Sequence, residues 1–534
     1  MTAALAAKKR GLNVVVIEKS RYFGGSTARS GGAIWVPNNS VILGAGVPDS
    51  AEQAATYLSN VVGPEIPKDR QQAFLEHGPK MIDFIMDNTP LRFQFLENYS
   101  DYYPHFPGGL DIGRSIEAIQ VDANLLGAEK ERLNPPYMPM PPGIVMYSAD
   151  YKWVNLAGVN VKGLATGIKC MLAGLRAMAL RQNPQTMGAG LAVGLRLGLM
   201  DAKIPVWHNT PLLDLVQDGD AISGVVVEMH GVRTTIRAKK GVVIGSGGFE
   251  QNAEMRNKYQ QQPINTKWTV GSKDNTGDGI WASEKVGAAL DLMDDSWWGP
   301  TVPVPGQPYF CLSERALPGG LFVNKHGKRF VNEAGPYCEV VHVMYEQDKS
   351  DDGSEIPTWM IVDQRFRNRY LFKDVPGRFP IPKFWYESGV VKKAKTLHEL
   401  AKDINVPADA LQATVTRFNG QAKKGVDEDF GRGNNMYDRF YTDPAVKPNP
   451  CLAPLEQGPF YAFKIAPGDL GTKGGIVTDA RARALRSDGT VIKGLWAAGN
   501  ASAAVMGNSY AGAGSTIGPA MTFGYIAAND LADL

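Results

Sequence analysis

The chain has 534 residues, 44% hydrophobic and 21% charged, a balance typical of globular proteins at a length that calls for more than one core. A formal charge of +2 gives no overall attraction to nucleic acid or to acidic partners. Cys170, Cys311, Cys338 and Cys451 are scattered without a CxxC pair, and the seven histidines form no HExxH grouping; a disulfide framework and a metal centre are therefore not expected, and a reducing, cytoplasmic compartment is.

The first segment, MTAALAAKKRGLNVVVIEKS, is no signal peptide, because Lys8, Lys9 and Arg10 interrupt its apolar run. It reads as the second half of a helix, a stop at Gly11, and a buried parallel strand from Val14 to Ile17 closed by Glu18. A small-residue helix followed by a strand ending in an acid is the back half of a dinucleotide-binding βαβ unit, whose acid accepts hydrogen bonds from ribose hydroxyls. The glycine loop of such a unit lies about 20 residues before the acid. It is expected at or upstream of Met1, leaving the unit without its first strand and loop. Taken alone, VVVIEK is as well explained as any buried strand with a surface acid.

Directly after Glu18 comes a run holding Lys19, Arg21, Gly24, Gly25, Ser26, Thr27, Ser30, Gly31 and Gly32. Paired glycines among small hydroxyl residues let backbone N–H groups approach a pyrophosphate closely, and Lys19 and Arg21 add positive charge nearby. Gly241 to Glu250, with Ser246, Gly247 and Gly248, repeats the strand-then-glycine pattern, as does Gly494 to Asn500 with Gly499. One such segment is weak evidence; three in this order are strong.

Between Asp150 and Asp201 there is no acidic residue. Lys162, Lys169 and Arg176 are seven apart, so they share one face of a helix whose remainder is filled by leucine and methionine. Pro184 and nearby glycines break it, and Leu191 to Met200 is predicted as a second short helix. The charges argue against a membrane span. A basic amphipathic helix reads as a membrane-surface element, peripheral at the inner face of the cell membrane; its rival is a helical hairpin packed on its neighbours. At the C-terminus, Ser515-Thr-Ile517 and Pro519 mark a helix start, an end that favours negative charge.

The motifs IEKxxxxGGSTxxSGG, VVIGSGGFE, the turn from Asn275 to Gly279 with Asp278, and GLWAAGN together resemble the fumarate reductase/succinate dehydrogenase flavoprotein superfamily nearly end to end. The resemblance implies an α/β fold: a Rossmann-like FAD-binding domain with an inserted α+β catalytic cap. The expected division is 1–291 and 459–534 for the FAD-binding domain, and 292–458 for the cap. FAD is the implied cofactor, held by Glu18, Lys19, Gly24, Gly25, Ser26, Thr27, Ser30, Gly31, Gly32, Leu213, Ser246, Gly247, Gly248, Asn275, Asp278, Gly499, Asn500, Ser515 and Ile517.

Fumarate reductases clamp a dicarboxylate with cations, yet Val505 to Gly514 contains none. That segment, with Phe330 to Tyr337 (FVNEAGPY) and Ser100 to Tyr103 followed by Gly113 to Ile116 (GRSI), is similar to the 3-ketosteroid Δ1-dehydrogenases. The likeness implies Tyr337 as the general base, Tyr102 as its hydrogen-bonded partner, and Tyr510 with the Gly514 N–H as donors to the substrate ketone. Whether Tyr102 or Tyr103 is the partner is a matter of register, which the resemblance decides for Tyr102. The chemistry it implies is loss of a proton from C2 to the tyrosine base and of a hydride from C1 to flavin N5. An external electron acceptor such as a quinone is expected as a partner, alongside a 3-ketosteroid substrate. The alternatives are a 3-oxo-5α-steroid 4-dehydrogenase, a fumarate-reductase-like flavoprotein, or a non-enzymatic flavin or sterol carrier.

Overall fold

The computed structural model describes residues 1–137, 144–350 and 356–534. The alanine-rich start forms the helix Thr2–Lys9, whose buried Ala6 and Ala7 pack against Ala528 of the last helix, Ile517–Asp533. Gly11, at φ +84°, lets the chain turn out of that helix. The strand that follows is shorter than the sequence suggests: Val16–Ile17 pairs in parallel with Val206–Trp207, and Val14 stays outside the ladder.

The first large sheet is built around Val491–Ala497. Its Leu495 to Ala497 pair in parallel with Val242–Ile244, and Lys493 pairs in parallel with Ala221 of Ala221–Met229. Ala221–Met229 in turn carries Leu212–Asp218 and Val232–Arg237 as antiparallel neighbours. Ile244, Val227, Leu495, Ala497 and Ile280 of the helix Asp278–Lys285 form one core on this sheet.

The second large sheet hangs on one thirteen-residue strand, Phe460–Thr472. Ser296–Val302 pairs antiparallel along its second half, and Thr358–Val362 and Val391–Ala394 along its first. Gly320–Val323 and Tyr309–Phe310 extend the two edges. Phe460–Thr472, which the expected boundary at 459 put with the FAD-binding part, lies in this second sheet, between Ser296–Val302 and Thr358–Val362. A mixed apolar and glycine sequence, FYAFKIAPGDLGT, hid this, because period-two alternation fails in a strand buried on both faces.

Both helices expected in the acid-free stretch are present, as Val161–Ala179 and Met187–Asp201. They differ in surroundings. Met187–Asp201 is buried along most of its length, whereas Val161–Ala179 leaves Leu164, Ile168, Met171, Leu172, Leu175 and Met178 exposed. Met187–Asp201 fits the packed reading throughout, while Val161–Ala179 packs one side on Ser148–Val154 and leaves the other, apolar side exposed. Among the described residues no helix is long and apolar enough to cross a membrane.

Candidate active site and cofactor cleft

A cavity of about 1950 Å3 runs from the glycine segments of the first sheet to the inner face of the second. At one end stands Glu18, whose carboxylate accepts the Ser20 N–H at 2.8 Å and whose pKa burial raises. Gly24 and Gly25 open the helix Gly25–Arg29, and Gly24 at φ +99° aims that end at the cavity. Gly32, at φ +69°, would place any Cβ 2.2 Å from the Gly188 nitrogen, so only glycine lets these two backbones meet. The Ser26 hydroxyl accepts from the Ser272 N–H at 2.9 Å and from Asn275 Nδ2 at 3.1 Å, tying the first glycine run to the turn 275–279. Ser30 donates to the Thr27 carbonyl at 2.8 Å.

Thr27, Ser30, Gly31, Ser246, Gly247, Asn275, Asp278, Gly499, Asn500 and Ile517 all border the same cavity. Four expectations are adjusted. Lys19 reaches the cavity not as a free cation but bonded to Asp278 at 2.8 Å. Leu212, one residue before Leu213, supplies the lining there. Gly248 lies behind the wall against Thr472, and the Ser515 hydroxyl is buried and turned back to Gly512, leaving Thr516 at the surface of the cavity. Leu213, Gly248 and the Ser515 hydroxyl thus stand off the cavity lining, because backbone turns decide which neighbour faces inward. The closely approached, positive-φ glycines, the strand-end acid and the helix starts fit a dinucleotide with an anionic middle.

At the other end three segments converge. The Tyr102 and Tyr337 hydroxyls lie 2.9 Å apart, while Tyr103 sends its hydroxyl elsewhere, to Glu339 at 2.6 Å. The register question therefore falls to Tyr102. Tyr510 stacks on Tyr102 at a centroid distance of 5.0 Å and meets Tyr337 edge-on at 5.2 Å. The Gly514 N–H points to the Tyr510 hydroxyl, so two donors share one corner. Gly514 stands at φ +98°, with a would-be Cβ 2.2 Å from the Ala33 carbonyl oxygen.

Local structure explains this placement. Tyr337 opens the helix Tyr337–Ser350, so its position is fixed by a rigid element. Tyr102 is held by its neighbour Asp101, which is buried and bonded to Trp35 Nε1 at 2.8 Å, to the Leu110 N–H at 3.0 Å, and to Arg114. Arg114 also reaches Asp49 at 3.0 Å. The GRSI motif thus acts through Arg114 as an anchor for the loop that carries Tyr102, a role the sequence reading did not assign. It also missed Tyr99, whose hydroxyl is 3.4 Å from that of Tyr102, and Tyr437, whose ring lies 4.5 Å from the Tyr102 ring. Neither sits in a recognisable motif.

Burial dominates the electrostatics. It pushes the phenols of Tyr337 and Tyr102 well above their ordinary value, and lifts Tyr510 to about 12 against hydrogen bonds from Tyr337, Thr516 and Gly514. At rest, all three are neutral donors facing an apolar chamber that also includes Phe310 and Leu312.

Residues 1–517 match the FAD binding domain family, and the chain belongs to that family of flavin-dependent oxidoreductases. Within it, the chain groups with the 3-oxosteroid 1-dehydrogenases. It is 50% identical over 541 residues to the 3-oxosteroid 1-dehydrogenase of Mycobacterium tuberculosis (strain ATCC 25618 / H37Rv), covering 100% of this chain and 96% of that protein. It is 48% identical over 540 residues to that of Mycolicibacterium smegmatis (strain ATCC 700084 / mc(2)155), covering 100% and 95%. The crystal structure of 3-ketosteroid delta1-dehydrogenase from Sterolibacterium denitrificans, in complex with 1,4-androstadiene-3,17-dione, superposes with a TM-score of 0.93 at 39% identity, covering 100% of this chain and 97% of that one. FAD is the cofactor this family implies, and the cavity's glycine-lined end fits it.

Proposed function

We propose that the protein removes the C1 and C2 hydrogens of a 3-ketosteroid, with Tyr337 as the base that takes the C2 proton. The observation that carries this reading is the convergence of Tyr102, Tyr337, Tyr510 and Gly514 on one wall of the cavity. The C2 proton is acidic only when the C3 carbonyl is polarised toward an enolate. The Tyr510 O–H and Gly514 N–H are the two donors for that oxygen, each worth roughly 3–4 kcal/mol where such donors have been measured. Tyr102 donates to the phenolate that Tyr337 needs in order to act. Bound FAD supplies the acceptor for the hydride leaving C1, and the residues that would hold it are Glu18, Gly24 to Gly32, Ser246, Gly247, Asn275, Gly499, Asn500 and Ile517. The names and the bound dienedione of the relatives support the substrate class. An external quinone-like acceptor completes the cycle.

The same reading covers the helix Val161–Ala179. Val161 is 86% exposed, Met178 62% and Leu172 56%, with Lys162, Lys169 and Arg176 beside them. An apolar face flanked by bases suits an anionic lipid surface, and the inner side of the helix, at Gly174 and Ala177, borders the cavity. We assign the protein to the cytoplasm, peripheral at the inner membrane face, where it would draw on a water-insoluble ketone.

The test is an anaerobic spectrum. Yellow protein should bleach on adding androst-4-ene-3,17-dione, and Tyr337→Phe should abolish bleaching while the flavin stays bound. Undiminished bleaching in that variant would overturn the assignment of the base; a protein that binds the steroid without bleaching would favour the carrier reading.

A further inference from the structure

A tyrosine buried among tyrosines is a poor base, because nothing in its own ring system stabilises the anion. The groups facing Tyr337 are mostly neutral: Tyr102 and Tyr99 from the loop before Gly113, Tyr510 from the C-terminal segment, Tyr437 from the loop after Phe430, and Cys338 on its own helix. Beyond the Cys338 thiol, Lys473 and Asp295 are already paired with each other at 2.9 Å. Glu339, on the same helix, is engaged by the Tyr103 hydroxyl and His342, and the cation that faces the Tyr337 ring is Arg315.

Arg315 is 1% exposed and sits in the segment between Tyr309–Phe310 and Gly320–Val323. Its guanidinium carbon lies 5.8 Å from the centroid of the Tyr337 ring. One terminal nitrogen, Nη1, donates to the carbonyls of Glu333 and Gly335, in the loop that leads into Tyr337. The other, Nη2, donates to the Tyr437 hydroxyl at 3.3 Å. Nε has no acceptor among the described residues. Nor do the nearest carboxylates neutralise the charge. Glu333 gives its carboxylate to Arg329 and Arg432, and Glu314 turns to Tyr309 and Ser313. A buried cation without a carboxylate is expensive to keep, and the groups placed to compensate it are the tyrosines.

We infer that Arg315 is a positioning residue for the reaction: its uncompensated charge stabilises the Tyr337 phenolate across the Tyr437 hydroxyl and the Tyr337 ring face, while its grip on the Glu333 and Gly335 carbonyls fixes where that phenol points. The inference rests on Tyr337 being the base. Once the base has released its proton to solvent, the negative charge formed is balanced by a cation already in place. At this range a unit charge moves an ionisation by about one to two pH units.

The experiment follows flavin bleaching by androst-4-ene-3,17-dione in single anaerobic turnovers of the holoenzyme from pH 6 to pH 10. Arg315→Gln keeps an N–H donor for the carbonyls but removes the charge; Arg315→Lys keeps the charge. Removing the charge raises the pKa of the base, so the rising limb of the rate profile should move to higher pH in Arg315→Gln. The expected loss is about tenfold or more at each pH on that limb. Arg315→Lys should keep the wild-type limb. Tyr437→Phe, which removes only the hydroxyl that accepts from Arg315 Nη2, should shift it in the same direction by less, and serves where the glutamine variant loses its flavin. Equal losses at every pH, in both the Gln and Lys variants, would reduce Arg315 to a structural support and overturn the inference. An unshifted limb in Arg315→Gln, or in Tyr437→Phe where that variant stands in, would do the same. If Tyr337→Phe still bleaches, the base assignment itself fails; if it is dead while the limb stays put, only the role of Arg315 fails.

Discussion

Tyr102 and Tyr337 are 235 positions apart in the chain, yet their hydroxyls lie 2.9 Å from each other in a chamber closed to charge on nearly every side. Each is fixed from behind, Tyr337 by the start of its helix and Tyr102 by the Asp101–Arg114 anchor. The pair is therefore preorganised, and its hydrogen bond is in place before substrate arrives.

Tyr102→Phe should slow flavin reduction without abolishing it. A hydrogen bond to a charged partner contributes about 1.5–3 kcal/mol, which is roughly ten- to a hundredfold in rate. Because the lost donor favours the phenolate, the rising limb of the pH–rate profile should move upward, and steroid affinity should change little. Stopped-flow bleaching across pH reads both effects; an unaltered limb would show that the hydroxyl only fills space.

Gly514→Ala should be far more damaging than its size suggests. The residue stands at φ +98° with the Ala33 carbonyl oxygen 2.2 Å from an added Cβ. The backbone must shift, and the N–H that serves the ketone shifts with it. Loss of one such donor costs about a hundred- to a thousandfold in kcat, and the strain adds about 1–3 kcal/mol of destabilisation. Turnover and thermal melting of the flavin-loaded variant separate the two.

Leu164→Glu with Leu172→Glu places acids on the exposed apolar face of Val161–Ala179. The double variant should lose binding to vesicles containing anionic phospholipid in a flotation assay, while its activity on a steroid dissolved in detergent stays near wild type. Wild-type binding should weaken as salt rises, in keeping with the contribution of Lys162, Lys169 and Arg176. Wild-type protein that floats with neutral and anionic vesicles equally poorly would remove the membrane reading.

His342 predicts how stability follows pH. Burial lowers its pKa, but hydrogen bonds with Asp295 and Glu339 prevail and raise it to about 9. A folded-state pKa above the unfolded one, near 6.5, gives stability that is complete below about pH 6.5 and is lost as pH climbs through about 9. The contribution is on the order of 3 kcal/mol. Thermal midpoints of the holoenzyme should fall over that interval, and His342→Gln should lower the midpoint at pH 6 while flattening the decline. A parallel decline in the variant would place the titrating group elsewhere.

The cofactor end of the site was largely legible in the sequence, because glycines forced by close backbone approach cannot be replaced and leave a pattern: Gly24, Gly32 and Gly247 each mark a positive-φ turn at the cavity. The tyrosines at the other end were legible only through motif likeness. Tyr99, Tyr437 and Arg315 were not, since they meet Tyr102 and Tyr337 through loops far apart in sequence, and a tyrosine or arginine in a loop is ordinarily a surface residue. Lys19 looked like a phosphate ligand for the same reason; its partner Asp278 comes from 259 residues away. The strand Phe460–Thr472 escaped because burial on both faces erased its alternation.

The two passages between the sheets are hydrogen-bonded to each other on both sides of the boundary. Leu290 and Asp291 pair with Ile476 and Gly475 before the crossing, and Ser296 pairs with Thr472 just after it. Two bare strands would make a hinge; cross-linked in this way they make a splint. A second sheet carried on such a splint swings away from the first only by breaking these ladder bonds, so the pairing resists its motion relative to the cofactor end. Amide protons at Asp291, Ile476 and Thr472 should accordingly exchange with solvent as slowly as those of the sheet interiors, with and without steroid, which would leave ligand traffic to the loops and the exposed helix Val161–Ala179 beside the chamber.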